Sequence, residues 1–164
     1  MTNSVKKIFL DTSFFVRLLK TDTPEHQNAR TYFRRFRSEN IELLLSTIVA
    51  AEYGVGADIR LLPYRDITVL PFNLNHANRS SELAKLAFEN KRKGAIVLEN
   101  RVVIPNDTKL LAQAEEAGAD LFIARDDNCE KVYKLMKSNG LLTFDYLDLK
   151  TTPSVYFQEL FGDL

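Results

Sequence analysis

Lys7-Ile8-Phe9-Leu10-Asp11-Thr12-Ser13 is the stretch whose reading decides the fold. Three apolar residues in a row, entered through lysine and left through an acid and two hydroxyls, read as a short buried strand. Beyond it Phe14, Phe15, Leu18 and Leu19 take up helical spacing, so a helix is expected from Thr12 to about Lys20. A buried strand that breaks straight into a helix is the first half of a βα unit. In open α/β sheets the ligand sits beyond the carboxyl ends of the strands, and Asp11 stands at such an end.

The same alternation continues outward from there. Thr23, as N-cap, and Pro24 start a helix to about Arg37, with Ala29, Tyr32, Phe33 and Phe36 on one face. Ile41 to Leu45 reads as the second strand, and Ser46-Thr47 start the helix that carries Ile48, Val49, Ala51 and Glu52. Ile67 to Leu70 is the third strand, stopped by Pro71, after which Asn75 caps a helix ending near Lys91-Arg92-Lys93-Gly94. Ala95–Leu98 and Val102–Ile104 flank Glu99-Asn100-Arg101 as a small hairpin whose turn lacks glycine. Asp107-Thr108 start a helix that stops at Gly118, and Leu121 to Ala124 is the fourth strand. A helix through Val132, Leu135 and Met136 stops at Asn139-Gly140, and Leu141 to Phe144 is the last strand. The expected fold is a three-layer α/β/α sandwich around a mostly parallel sheet, as one domain over residues 1–150. The tail, 151–164, holds Tyr156, Phe157 and Phe161 and must pack on the domain or on another chain.

Composition narrows the function classes. The chain of 164 residues can bury a core, and its formal net charge of zero argues against a non-specific nucleic-acid coat. No apolar run approaches the roughly 18 residues of a membrane span, and the N-terminus has no signal-like segment, so a cytoplasmic protein is expected. The single cysteine, Cys129, excludes an intrachain disulfide, and His26 and His76 lack metal-binding spacing.

Four acids recur at equivalent places in this topology. Asp11 and Asp126 follow strands, Glu52 lies in the first turns of the helix after the second strand, and Asp107 starts the helix before the fourth. In a parallel sheet all four can face one edge. As plain N-caps the three aspartates would stabilise by roughly 1 kcal/mol each. Glu52 resists so plain a reading, because its helix neighbours are Ile48, Val49, Ala50 and Ala51, and a carboxylate there needs a partner or a cation. Two carboxylates about 5 Å apart repel by roughly 3 kcal/mol at an effective dielectric near 20. An oxygen-only cluster with no histidine or cysteine favours Mg²⁺ or Mn²⁺, which points to hydrolysis of a nucleic-acid backbone.

These residues resemble the PIN-domain nucleases, a family that includes the VapC-type toxins of toxin–antitoxin pairs. The matching pieces are Ile8 to Ser13, Leu45 to Tyr53, Asp107 to Ala114 and Leu121 to Asp126, spanning about residues 5 to 145. The resemblance implies a Mg²⁺- or Mn²⁺-dependent endoribonuclease with Asp11, Glu52, Asp107 and Asp126 as acidic set and metal ligands. Ser13 is a candidate supporting hydroxyl, and Asp127 competes with Asp126 for the fourth place. Departures are Val49 and Ala124, where members of the family often carry hydroxyls, and 95–105, which looks like an insertion.

For substrate phosphates, Arg17 and Arg125 are nearest the acids, whereas Arg34-Arg35, Arg37 and Lys91-Arg92-Lys93 read first as solvated faces. Rival enzymes fit less well. A haloacid-dehalogenase-type phosphatase wants an acid at position 13, which is Ser13, and no glycine-rich loop suits a nucleotide. The non-enzyme alternative is a PIN-like scaffold that binds RNA or protein without cleaving. Expected partners are RNA, an antitoxin if the protein is a toxin, and a second copy. Tyr32, Phe33 and Phe36 and the tail aromatics are candidate dimer or partner contacts.

Overall fold

The computed structural model describes residues 5–98 and 103–161. The elements run β1 (Lys7–Leu10), α1 (Thr12–Leu19), α2 (His26–Ser38), β2 (Glu42–Ser46), α3 (Thr47–Gly56), β3 (Thr68–Leu70), α4 (Leu74–Arg92), α5 (Val103–Glu116), β4 (Leu121–Ala124), α6 (Asp127–Ser138), β5 (Asp145–Asp148) and α7 (Pro153–Phe161). The five strands pair in parallel in the order β3-β2-β1-β4-β5.

Ile8, Phe9 and Leu10, and all of β4, are buried because helices cover both faces of the sheet. On one face Phe9 stacks on Phe122 at 5.4 Å, Phe122 on Tyr146 at 5.8 Å, and Tyr133 of α6 closes on Tyr146 at 5.0 Å. Away from that row, Tyr32 and Phe36 of α2 meet Tyr156 and Phe157 of α7. The chain builds outward from β1 to β3, then returns through α4 and α5 to add β4 on the other side of β1. The strand order therefore reverses between β1 and β4, the place where open α/β sheets leave a crevice for a ligand. Leu10 pairs with Ile123, so Asp11 and the residues just past Ala124 leave the sheet side by side.

Several boundaries differ from the sequence reading. Asp107 does not begin its helix: α5 starts at Val103, and Pro105 is accommodated in the first turn, where its missing N–H would lack a partner anyway. Val103-Ile104 is thus helix rather than a hairpin arm, and the hairpin's turn, 99–101, lies outside the described residues. The last strand is Asp145–Asp148, not Leu141–Phe144; Leu142 and Phe144 are buried in the segment leading into it. The α4 cap is Asn73, which forms a capping box with His76, in place of Asn75. Glu25 stands at the N-cap of α2 rather than Thr23, whose hydroxyl instead donates to the Lys20 carbonyl. Tyr32, Phe33 and Phe36 belong to the core and offer no face to a second chain. Tyr156 and Phe157 are half-buried against α2.

Candidate active site

Each acid reaches the carboxyl edge of the sheet from a different element, and the sequence dictates why. Asp11 ends β1 and caps α1, its Oδ2 accepting from the Ser13 amide at 2.9 Å and from the Ser13 hydroxyl. Ser13 Oγ in turn accepts from the Arg125 amide at 2.7 Å, which ties the end of β1 to the end of β4. Asp126 caps α6 through Oδ1 alone, accepting from Asn128 and Cys129 amides at 2.9 and 3.0 Å. Glu52 lies on α3, which Ser46 caps, and accepts a hydrogen bond at Oε2 from the Thr12 hydroxyl. Asp107 projects from the second turn of α5, past the point where a cap could act.

A single cleft is lined by Asp11, Glu52, Asp107 and Asp126 together with Thr12, Ser13, Arg17 and Arg125. Asp127 is placed elsewhere. It is exposed, pairs with Arg125 at 2.9 Å and Lys150 at 3.6 Å, and takes no part in the lining. The other basic clusters do not line the cleft, and three of their members are paired elsewhere: Arg35 with Glu39, Arg37 with Asp66 and Lys93 with Glu89.

The electrostatics follow from crowding. Burial pushes the Asp11 carboxyl up to about 6 against the pull of Ser13, and Glu52 and Asp126 push the same way. Burial also leads at Asp107, pushed up to about 8, with Asp126, Asp11 and Glu52 adding to it. Among the described residues none of the four forms an ion pair with Lys, Arg or His. One oxygen each of Asp11, Glu52 and Asp126 is held by protein donors, which leaves the other for a ligand. Asp107 Oδ2 is buried with no hydrogen-bond partner among the described residues.

This donor set suits a hard divalent cation: oxygen only, mutually repelling, oriented, and with an orphaned carboxylate oxygen. A second acidic group, Asp127, Glu130 and Asp148, brings its oxygens within 4.8 Å of one another on the surface. That group is already neutralised by Arg125, Lys150 and Lys134. The cleft acids have no such paired cation among the described residues.

Sequence reasoning missed two participants. Thr12 orients Glu52 across 40 positions of chain, and the only local signal was a hydroxyl beside Asp11. Glu25 bridges Arg17 and Arg125 at 3.1 Å each, a contact with no periodic signature.

The family model described as PIN domain matches residues 8–135. The chain belongs to the PIN-domain family. Its fold is similar to that of VapBC2 from Rickettsia felis, solved bound to a DNA fragment from the promoter, with 16% identity, 87% of this chain and 98% of that chain covered, and a TM-score of 0.54. It is also similar to VapC20 from Mycobacterium tuberculosis, a sarcin–ricin loop cleaving toxin, with 16% identity, 75% and 92% covered, and a TM-score of 0.50. No curated protein matches the chain significantly. Membership supports the nuclease class and the α/β/α architecture, and no described helix is long and apolar enough to cross a membrane.

Proposed function

We propose that this PIN-domain protein is a Mg²⁺- or Mn²⁺-dependent endoribonuclease acting in the cytoplasm as the toxin of a toxin–antitoxin pair. The observation that carries the reading is the convergence of four carboxylates that, among the described residues, have no compensating cation, one of them with a buried, unpartnered oxygen. Asp11, Glu52, Asp107 and Asp126 would hold the ion. A divalent cation there supplies a positive field that lowers the pKa of a neighbouring water and offsets charge on a phosphate. Ser13 fixes Asp11, and Thr12 fixes Glu52, so that neither carboxylate needs to reorganise on ion binding. Burial of Asp11 strengthens its interactions relative to those of an exposed carboxylate. Arg17 and Arg125 line the same cleft and would meet substrate phosphates.

An antitoxin would find exposed apolar side chains on and just after the helix that carries Glu52. Val55 is 91% exposed at the end of the helix that carries Glu52, and Ile59 and Leu61 follow it, also exposed.

The test is cleavage of a panel of labelled RNAs that includes the sarcin–ricin loop, with Mn²⁺, with chelator, and with Asp11→Asn. Ion-dependent cuts by wild type and none by Asp11→Asn are expected. RNA binding that is the same with chelator, and no cutting under any condition, would instead establish a scaffold.

A further inference from the structure

Glu25 is an odd acid. It occupies the N-cap of α2, yet its side chain caps nothing there. Instead its two oxygens take the Nε–H groups of Arg17 and Arg125, one each, at 3.1 Å. The carboxylate is only 14% exposed, and the hydrogen bonds from Arg125 and Arg17 outweigh the opposing effect of burial, holding it below the usual range. The bridge joins α1 to the residue just past β4, the two sides of the crevice.

Both arginines are further braced. Arg17 Nη1 donates to the Ser13 carbonyl at 3.1 Å, and Arg125 Nη1 to Asp127 at 2.9 Å. Arg17 and Arg125 both line the acidic cleft, whereas Glu25, which holds them, does not. The Nε and Nη1 donors fix the plane of each fork, and among the described residues no partner takes the Nη2 donors, which a ligand would use. A guanidinium so oriented suits the planar, paired oxygens of a phosphate, and two side by side suit a phosphate of a polymer lying along the rim.

We propose that Glu25 is a positioning residue for RNA cleavage, locking Arg17 and Arg125 into one rigid clamp for a substrate phosphate beside the cleft acids. This rests on the ribonuclease reading above. Glu25 adds a negative charge to a site for a polyanion, so it works against raw affinity. Its contribution is geometric: it fixes where the held phosphate, and hence the neighbouring bond, lies relative to the carboxylates.

Charge and geometry predict opposite effects, which makes the proposal testable. Steady-state cleavage of a labelled sarcin–ricin loop hairpin and of a mixed-sequence single strand is measured for wild type, Glu25→Gln and Arg17→Lys over a salt series. Mn²⁺ affinity by calorimetry and melting temperature are read in parallel. Glu25→Gln should lower kcat by about tenfold or more without raising KM, as expected when orientation rather than attraction is lost. Its log KM against log salt should steepen by about 0.7, the contribution of one phosphate contact on a single strand. Arg17→Lys keeps the charge and loses the fork, so it should lower kcat with the salt slope unchanged. Mn²⁺ affinity should hold in both.

Wild type that cleaves while both variants match it in kcat and KM would overturn the clamp and leave the nuclease intact. A Glu25→Gln loss that appears in KM, or that vanishes once the assay is cooled below a lowered melting point, would make Glu25 a purely structural bridge. Wild type that cleaves nothing in the panel would remove the ribonuclease reading and the clamp with it.

Discussion

Replacing Asp107 by Asn should stabilise the metal-free protein and abolish its response to metal. Asp107 Oδ2 has no hydrogen-bond partner, and burial together with Asp126, Asp11 and Glu52 pushes its carboxyl up to about 8. A pair of like charges about 6 Å apart costs roughly 3 kcal/mol at an effective dielectric near 20. The cleft is open to water and Asp107 is partly exposed, so about 2 kcal/mol of relief is a reasonable net figure for removing the charge. For a domain of this size that is a rise in melting temperature of about 4–8 °C. The amide also offers N–H donors to the neighbouring carboxylates.

The sign with pH follows from linkage. A carboxyl whose folded pKa is raised binds its proton more tightly in the native state, so native stability falls as pH rises from the unfolded value towards the folded one. For Asp107 that window runs from 3.8 to about 8, and for Asp11 from 3.8 to about 6. The advantage of Asp107→Asn should thus be largest near pH 8 and close to nothing near pH 4. Urea unfolding of both proteins in chelator across that range is the assay. Saturating Mn²⁺ should invert the order, since wild type gains about 2.7 kcal/mol at a hundredfold excess over Kd and the mutant little. A mutant less stable than wild type near pH 8 in chelator, or a difference that ignores pH, would refute the repulsion argument and make Asp107 an ordinary helix residue.

Three further outcomes are expected. Thr12→Val removes the hydroxyl that orients Glu52, and Mn²⁺ affinity by calorimetry should weaken about 10- to 100-fold with the fold intact. Ser13→Ala leaves the Arg125 amide without its acceptor at the join of β1 and β4, a loss of about 1–3 kcal/mol by chemical denaturation. The Glu25 pKa is lowered, so its arginine bridge stabilises the fold above the ordinary value of 4.5 and is lost as pH falls through the folded value; the destabilisation by Glu25→Gln expected in urea at neutral pH should shrink below pH 4.5.

The central strands and the place of the acids were legible because burial on both faces writes itself as unbroken apolar runs. Ile8-Phe9-Leu10 and Leu121-Phe122-Ile123-Ala124 can be nothing but interior strand in a chain of this pattern, and the acid after each run marks its carboxyl end. β5 was misplaced because it is an edge strand: Asp145 and Asp148 break its apolar pattern, whereas the preceding loop, with Leu142 and Phe144, is the more apolar stretch. The start of α5 lies earlier than the sequence suggests because Val103-Ile104 reads as a hairpin arm and Asp107-Thr108 as a cap, whereas the first turn of a helix can hold Pro105.

That last error bears on the site. Read as the first residue of its helix, Asp107 had a sufficient job as a cap. Placed in the second turn, it has no structural duty that its charge serves, and folding still buries one of its oxygens beside three other acids. The caps at Asp11 and Asp126 are real, and capping would not compete with the proposed ion binding, since the cap uses one carboxylate oxygen and aims the other. The sequence shows where an acid falls in the chain, but the oxygen left over after capping emerges only when Ser13, Thr12 and the α6 amides are brought around it.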